Sequence, residues 1–356
     1  MSPGLEAALA LEREAGTAGA AEARALLTRE LEALGYEVVV QRFEFSTGTL
    51  NALPVLGGGL GWLTLLQVPL LLLPGAPGWA SLAVLLAGLA CLLLIARAIG
   101  TGAAASRGEL REDANLIAAR PGATPTRWLV AHLDTKAQGH SMAGRLVSVW
   151  MLLAAVAALS ALALWRLWGI PPVPAVAATA AAAVIAGFLA GRGRLKGRTV
   201  GARDNGSGLV ALMEAAGRAA RATGVIITSA EEFGLVGARI LAQQRPELVR
   251  DSDVINLDTI DDRGALAIVL HDPPGEALAV ELEGLLAGIA PAVRRRRLPL
   301  GIFVDSYPLA RAGARAVTIG RLDWTTLRLI HTPRDTRGGL AFDTARSVGE
   351  RLARLE

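Results

Sequence analysis

The sequence has 356 residues, with 36 Lys and Arg against 32 Asp and Glu, a formal net charge of +4 and a mean hydropathy of +0.43. That hydropathy is too high for an ordinary soluble enzyme, so part of the chain is expected to lie in lipid, and the dispersed charge offers no stripe for nucleic acid. The single cysteine, Cys91, falls in an apolar run, which excludes a disulfide framework and a thiolate metal site and leaves any metal to carboxylates and the four histidines, His132, His140, His271 and His331.

Leu5 to Leu34 carries apolar residues at helical spacing, rich in Ala and Glu, and Gly35 closes the helix before an alternating strand from Tyr36 to Phe45. Glu6, Glu12 and Arg13 interrupt the first apolar patch, so no signal peptide is expected and the N-terminus is placed on the cytoplasmic side. From Phe45 to Ala96 no residue is charged, and the turn Pro74-Gly75-Ala76-Pro77-Gly78 divides this run into two stretches of about 20 residues, each able to cross a bilayer. A second hairpin is predicted from Leu146 to Trp165 and Leu167 to Gly191, split by Arg166. Trp62, Trp79, Trp150, Trp165 and Trp168 fall in these segments, several near their ends, where interfacial tryptophans collect.

The flanks set the orientation. Arg42, Arg97, Arg107, Arg111, Arg145, Arg192, Arg194, Lys196 and Arg198 lie on the side of the polar segments, against Arg166 alone on the other. The expectation is a multi-pass protein of the cell (inner) membrane with its polar domain and both termini in the cytoplasm. Each hairpin returns the chain to the side it left, so residues 1–45, 98–145 and 192–356 can form one discontinuous domain, with membrane excursions at 46–97 and 146–191. Within it, strands are predicted at Ala114 to Ala119, Trp128 to Leu133, from Val225, at Val254 to Leu257, Ala265 to His271 and Ala316 to Ile319; helices are predicted at Ser207 to Thr223, Glu276 to Ile289 and Leu340 to Leu355. This alternation gives an α/β fold, a mostly parallel (mixed) central sheet with helices on both faces, plus the four inserted transmembrane helices.

The chemistry gathers where apolar strands end. Val225-Ile-Ile-Thr-Ser-Ala-Glu-Glu-Phe-Gly234 reads as a buried strand ending in two adjacent acids, Glu231 and Glu232. Neighbouring carboxylates repel unless a cation or shared proton compensates, and from consecutive positions one can ligate a metal while the other moves a proton. Trp128-Leu-Val-Ala-His-Leu-Asp134 ends in His-x-Asp, a spacing suited to a metal-bound imidazole steadied by a carboxylate. Gly201-Ala-Arg-Asp-Asn-Gly-Ser-Gly208 presents Asp204 before a helix, where a helix cap is the plain alternative. Val254-Ile-Asn-Leu-Asp258 and Ile330-His-Thr-Pro-Arg-Asp-Thr336 add another strand-terminal acid and a histidine. Each is weak alone; together they make a box for two divalent ions.

This ordered series resembles the di-zinc exopeptidases of the bacterial leucyl aminopeptidase and glutamate carboxypeptidase type, over the whole polar domain. The resemblance implies that Asp204 bridges two Zn ions, that His132 and Asp258 complete one site, and that Glu232 and His331 complete the other. It further implies Glu231 as general base, Asp134 as partner of His132, and a cis peptide at Asp204-Asn205. The sequence departs from that family in the membrane hairpin between the first histidine and the bridging aspartate, and in Ile330, where some relatives carry a tyrosine; zinc or a backbone N–H is then expected to stabilise the oxyanion.

The resulting expectation is a membrane-anchored zinc-dependent aminopeptidase that removes the N-terminal residue of peptides through a zinc-activated water with Glu231 as base. The alternatives are another amide reaction on the same scaffold (carboxypeptidase, deacylase or glutaminyl cyclase) or a non-catalytic membrane receptor. Its partners are a peptide substrate and the lipid bilayer. His132 and Asp204 each lie about a dozen residues from a span, at most ~40 Å of extended chain, so the rim of the site is expected to face the bilayer and favour membrane-associated peptides. Arg294 to Arg297 reads as a solvated face or a holder of anionic groups, and His140 and His271 as structural or surface residues.

Overall fold

The computed structural model describes residues 1–100, 108–271 and 273–355. Arg107, counted among the flanking cations, lies outside them. The elements in chain order are α1 (Pro3–Ala10), α2 (Ala18–Ala33), β1 (Glu37–Ser46), α3 (Ala52–Leu72), α4 (Gly78–Gly100), β2 (Leu110–Ala119), β3 (Arg127–His132), α5 (Met142–Trp165), α6 (Val173–Gly191), α7 (Gly208–Ala216), β4 (Thr223–Thr228), α8 (Val236–Gln244), α9 (Pro246–Val249), β5 (Asp253–Asp258), β6 (Leu266–Leu270), α10 (Glu276–Leu285), β7 (Val293–Arg297), α11 (Ser306–Arg311), β8 (Arg315–Gly320), α12 (Trp324–Leu327) and α13 (Asp343–Leu352). They form two compact units: Met1–Phe45, Leu110–Ala137 and Gly197–Glu356 in the first, Ser46–Glu109 and Gln138–Lys196 in the second.

The first unit is α/β, as expected. Its mixed eight-stranded sheet has the order β1-β2-β4-β3-β5-β8-β6-β7. The middle is parallel, Val130 of β3 standing beside Ile226 of β4 and Asn256 of β5, while β5 runs parallel to β8; β2 and β6 join antiparallel. Alternation along the strands serves two cores. Leu129, Ala131, Val225, Ile227, Ile255, Leu257, Val317 and Ile319 pack with α1, α2, α7, α10 and α13, whereas Trp128, Val130, Ile226, Val254 and Ala316 pack with α8, α9 and α11. The parallel direction of β3, β4 and β5 brings His132, the turn after Thr228, and Asp258 together at the carboxyl ends of the central strands, where open α/β sheets hold ligands.

One expectation is corrected here. The single helix over Leu5 to Leu34 is two helices, because Gly16 adopts φ +75° and Thr17 caps α2 by accepting from the Ala20 amide. The break lets Arg13 turn inward and become fully buried. Arg294 to Arg297 form a solvated face, as expected, and they do so on the edge strand β7, which the sequence did not predict; its exposed arginines blunt that edge, and Arg295 pairs with Glu283 at 2.9 Å and with Glu276.

The second unit is built from α3, α4, α5 and α6. Among the described residues, four helices are long and apolar enough to cross a membrane: Thr47–Leu72, Gly78–Gly100, Met142–Trp165 and Val173–Gly191. The helix α5 begins earlier than expected because Ser141 caps Gly144, and Pro171 and Pro172 delay α6. Gly57 and Gly187 let α3 and α6 cross closely, since a Cβ on Gly57 would meet the Gly187 carbonyl oxygen at 2.8 Å. Arg166 donates to the carbonyls of Leu70, Leu73 and Ala76 at 2.8–3.3 Å, satisfying the end of α3.

Candidate functional site

The sequence around Asp204 cannot form a regular helix start. Gly201 has φ +51°, Asp204 and Asn205 depart from helical geometry, and the Asp204–Asn205 peptide is cis, in agreement with the expectation from the resemblance. The Asn205 side chain then fastens the turn to the end of β5. Its Nδ2 donates to the Leu257 carbonyl at 2.8 Å, while Oδ1 accepts from Gly208 and Thr259 at 3.0 and 3.1 Å. Only glycine fits at 208, where a Cβ would lie 2.3 Å from the Leu257 oxygen. The plain reading of Asp204 as a helix cap fails, because its carboxylate faces two histidines instead.

His132 Nε2 is 3.1 Å from Asp204 Oδ1 and 3.7 Å from Asp258 Oδ1; His331 Nε2 is 3.2 Å from Asp204 Oδ2 and 3.1 Å from Glu232 Oε2. Two donor groups result, His132/Asp204/Asp258 and Asp204/Glu232/His331, each with its ligand atoms within 4.8 Å of one another. Asp204 is common to both, through different oxygens. Within this buried volume Glu232 Oε1 and His331 Nδ1 have no hydrogen-bond partner, and several carboxylates converge. Mixed imidazole and carboxylate donors in a buried, negatively charged cluster fit divalent ions such as zinc.

Asp134 does more than the His-x-Asp spacing suggested. Its two carboxylate oxygens accept the backbone amides of Glu231 and Glu232, each at 3.1 Å, so it fixes the turn bearing both acids. The His132 Nδ1 lies 3.0 Å from the Asp134 main-chain oxygen and 3.7 Å from its carboxylate. The closer partner of the ring is therefore the main chain. Ala230, at φ 56°, bends the chain out of β4 so that the Glu231–Phe233 turn faces the site.

The electrostatics separate the two acids. Burial pushes the Glu231 carboxyl well above its usual range, the nearby His132 pulls against this, and Glu232, Asp305 and Asp258 add to the rise. Glu232 is also buried, yet His331 and Lys136 hold its pKa below normal. Burial opposes charge on His132, but Asp134, Asp204 and Asp258 outweigh it and raise the imidazole well above normal. Asp204 is depressed although burial acts the other way, because both histidines stabilise its anion.

Four further residues of this region were not assigned from the sequence. Arg13, used there only as a charge, donates Nε to the Leu133 carbonyl at 2.9 Å and Nη1 to Val200 at 2.7 Å, with Nη2 on Gly201 at 3.2 Å, tying together the loops that carry His132 and Asp204. Asp335, inside the His331 motif, accepts the Arg203 and Asp204 amides at 2.9 and 3.0 Å. Lys136 sits 2.8 Å from Glu232 Oε2. Asp305 is fully buried and accepts from the Thr228 hydroxyl. Burial raises its pKa to about 7 against the pull of His132 and the Thr228 bond, helped by Asp134 and Asp258. Only burial distinguishes Lys136 and Asp305 from surface charges, and burial is not written in the local sequence. His140 and His271 lie outside both donor groups.

Residues 181–355 match the model of Peptidase family M28. No curated protein matches the chain. Among solved structures, the chain is similar to the LapA aminopeptidase of Legionella pneumophila, with 16% identity and TM-score 0.52, covering 98% of this chain and 69% of that one. It is also similar to a glutaminyl cyclase of Fimbriiglobus ruber, with 16% identity, TM-score 0.57 and coverage of 98% and 92%. The zinc aminopeptidase of Bacillus subtilis gives 13% identity, TM-score 0.55 and coverage of 98% and 93%. At these identities the likeness establishes a common fold.

Proposed function

We propose that the chain belongs to Peptidase family M28 and is a membrane-anchored aminopeptidase holding two zinc ions. The observation that carries this reading is the placement of Asp204 between His132 and His331, at 3.1 and 3.2 Å, with Asp258 and Glu232 completing the two donor groups. Zinc held there supplies Lewis acidity toward a peptide carbonyl and makes water acidic enough to deprotonate near neutral pH. Glu231, which belongs to neither donor group, would accept the proton of the attacking water and return it to the leaving amine. Asp134 keeps the Glu231 carboxylate in place by holding the backbone amides of the turn. Asp335 and Arg13 keep the Asp204 and His132 loops in register.

The apolar helices support a multi-pass anchor. Arg97 in the last turn of α4, Arg145 in the first turn of α5, and Arg192, Arg194 and Lys196 after α6 collect at one set of helix ends, which supports a cytoplasmic location for that side. A second reading, glutaminyl cyclisation, is supported by the likeness to the Fimbriiglobus ruber cyclase.

The test is metal analysis of the detergent-purified full chain together with a panel of free, N-acetylated and N-glutaminyl peptides. The aminopeptidase reading expects zinc in the protein and cleavage of free but not acetylated N-termini. Pyroglutamyl product without cleavage would establish the cyclase instead. Glu231→Gln should retain zinc and lose turnover by roughly two to four orders of magnitude. Near wild-type hydrolysis by that variant would remove Glu231 from its role.

A further inference from the structure

The donor group around Glu232 contains a cation of its own. Lys136, just beyond the His132-Leu133-Asp134 segment, is 2% exposed, and its Nζ stands 2.8 Å from Glu232 Oε2 and 3.1 Å from the Glu232 main-chain oxygen. A buried ammonium requires such a partner, because an unpaired charge away from water is strongly disfavoured. The Oε2 atom it holds is also the one that faces His331 Nε2, while Oε1 is left without a hydrogen-bond partner. Around His132, Asp204 and Asp258 the situation differs. Among the described residues, no lysine or arginine lies within ion-pair distance of those three side chains.

A divalent ion ligated by Glu232 and His331 must approach an ammonium already bound to the same carboxylate. In a buried site that repulsion is poorly screened, and the lysine competes for the oxygen as well as repelling the ion. We infer that Lys136 makes the two donor groups unequal: His132/Asp204/Asp258 takes the first ion tightly, and Asp204/Glu232/His331 takes the second more weakly while Lys136 holds Glu232. This rests on the metallopeptidase reading and adds an order of filling to it. Zinc availability would then set how much of the protein carries both ions.

The experiment is a zinc titration of the metal-stripped full chain in detergent, read by native mass spectrometry and calorimetry, with folding of each sample checked by circular dichroism. The wild type should fill in two steps separated by roughly tenfold or more in affinity. Lys136→Met should strengthen the second step by roughly tenfold or more and leave the first within about threefold. Glu232→Gln should abolish the second step and keep the first. Lys136→Gln, which retains a donor but not the charge, serves if the methionine variant does not fold, and equal wild-type steps would overturn the inference without either. Two ions bound with equal affinity, a second step unmoved by loss of the lysine charge, or a shift in the first step instead would overturn the inference while leaving the metallopeptidase intact. Failure of the wild type to take up any zinc would sink both.

Discussion

Asp134→Asn tests the claim that one carboxylate sets the position of both strand-terminal acids. The substitution is isosteric, so packing is retained, but one oxygen that accepts an amide at 3.1 Å becomes an NH2 group facing that N–H. One charge-assisted bond is lost and one buried amide loses its acceptor, a combined cost of about 3 kcal/mol. If that cost falls on the Glu231–Phe233 turn, the population with the turn displaced rises by about two orders of magnitude. Zinc affinity should fall roughly 10- to 100-fold, as for other residues that orient ligands from behind. Turnover should fall by about 100-fold, because Glu231 moves with the turn. Calorimetric zinc titration, thermal melting in detergent with and without zinc, and kcat on an aminoacyl reporter measure the three effects. A variant with wild-type zinc affinity and kcat would refute the reasoning, since it would show that the turn holds its place without the two bonds.

Other consequences follow from buried groups and close contacts. For Asp305 the folded pKa of about 7 lies above the ordinary 3.8, so folding favours its protonated form; that stabilisation is full below pH 3.8 and is lost as pH rises through 7. Over this window the metal-free protein should lose up to about 4 kcal/mol that Asp305→Asn does not lose, read as the difference in pH dependence of melting for the two proteins. Arg13→Met leaves the carbonyls of Leu133, Val200 and Gly201 without their donor and should destabilise the α/β unit by about 3–5 kcal/mol, a drop of roughly 10 °C in its melting transition. An unshifted transition would show that water replaces the guanidinium at no cost. Gly57→Leu forces α3 away from the Gly187 carbonyl and should lower the melting temperature of the helical unit in detergent, whereas Gly58→Leu, with open space around it, should not. Equal behaviour of the two variants would count against close crossing of α3 and α6.

The parts of the molecule legible in the sequence are those whose signal is local. Val225 to Thr228 and Val254 to Leu257 read as strands because a sheet covered on both faces makes near-continuous apolar runs, and the acids that follow mark where the runs leave the core. The long apolar helices are equally local, since length and the lack of charge suffice. The break between α1 and α2 is only partly local. Gly16 and Thr17 make it while the apolar spacing continues through it, and Arg13 then reaches carbonyls more than a hundred residues away. Arg294 to Arg297 is legible only in part: four charges mark a solvated surface, as found, but they hide the strand at the sheet edge that carries them.

The same distinction runs through the candidate site. Each donor residue stands in a motif with its own local signature, so it can be named from the sequence, but the pairing of Asp204 with both histidines exists only once β3, β4 and β5 align and the loop before α7 folds back on Asn205. Lys136 shows where local reading ends. In the sequence it is one of only two lysines in a loop, without a motif to mark it; in the fold it is an ammonium shut in with the cluster that would bind metal. The charge balance of the cluster, and with it the number of cations it can take, therefore depends on a residue whose importance is set by burial alone. A motif can supply the ligands, but the affinity of each donor group follows from what the fold places against them.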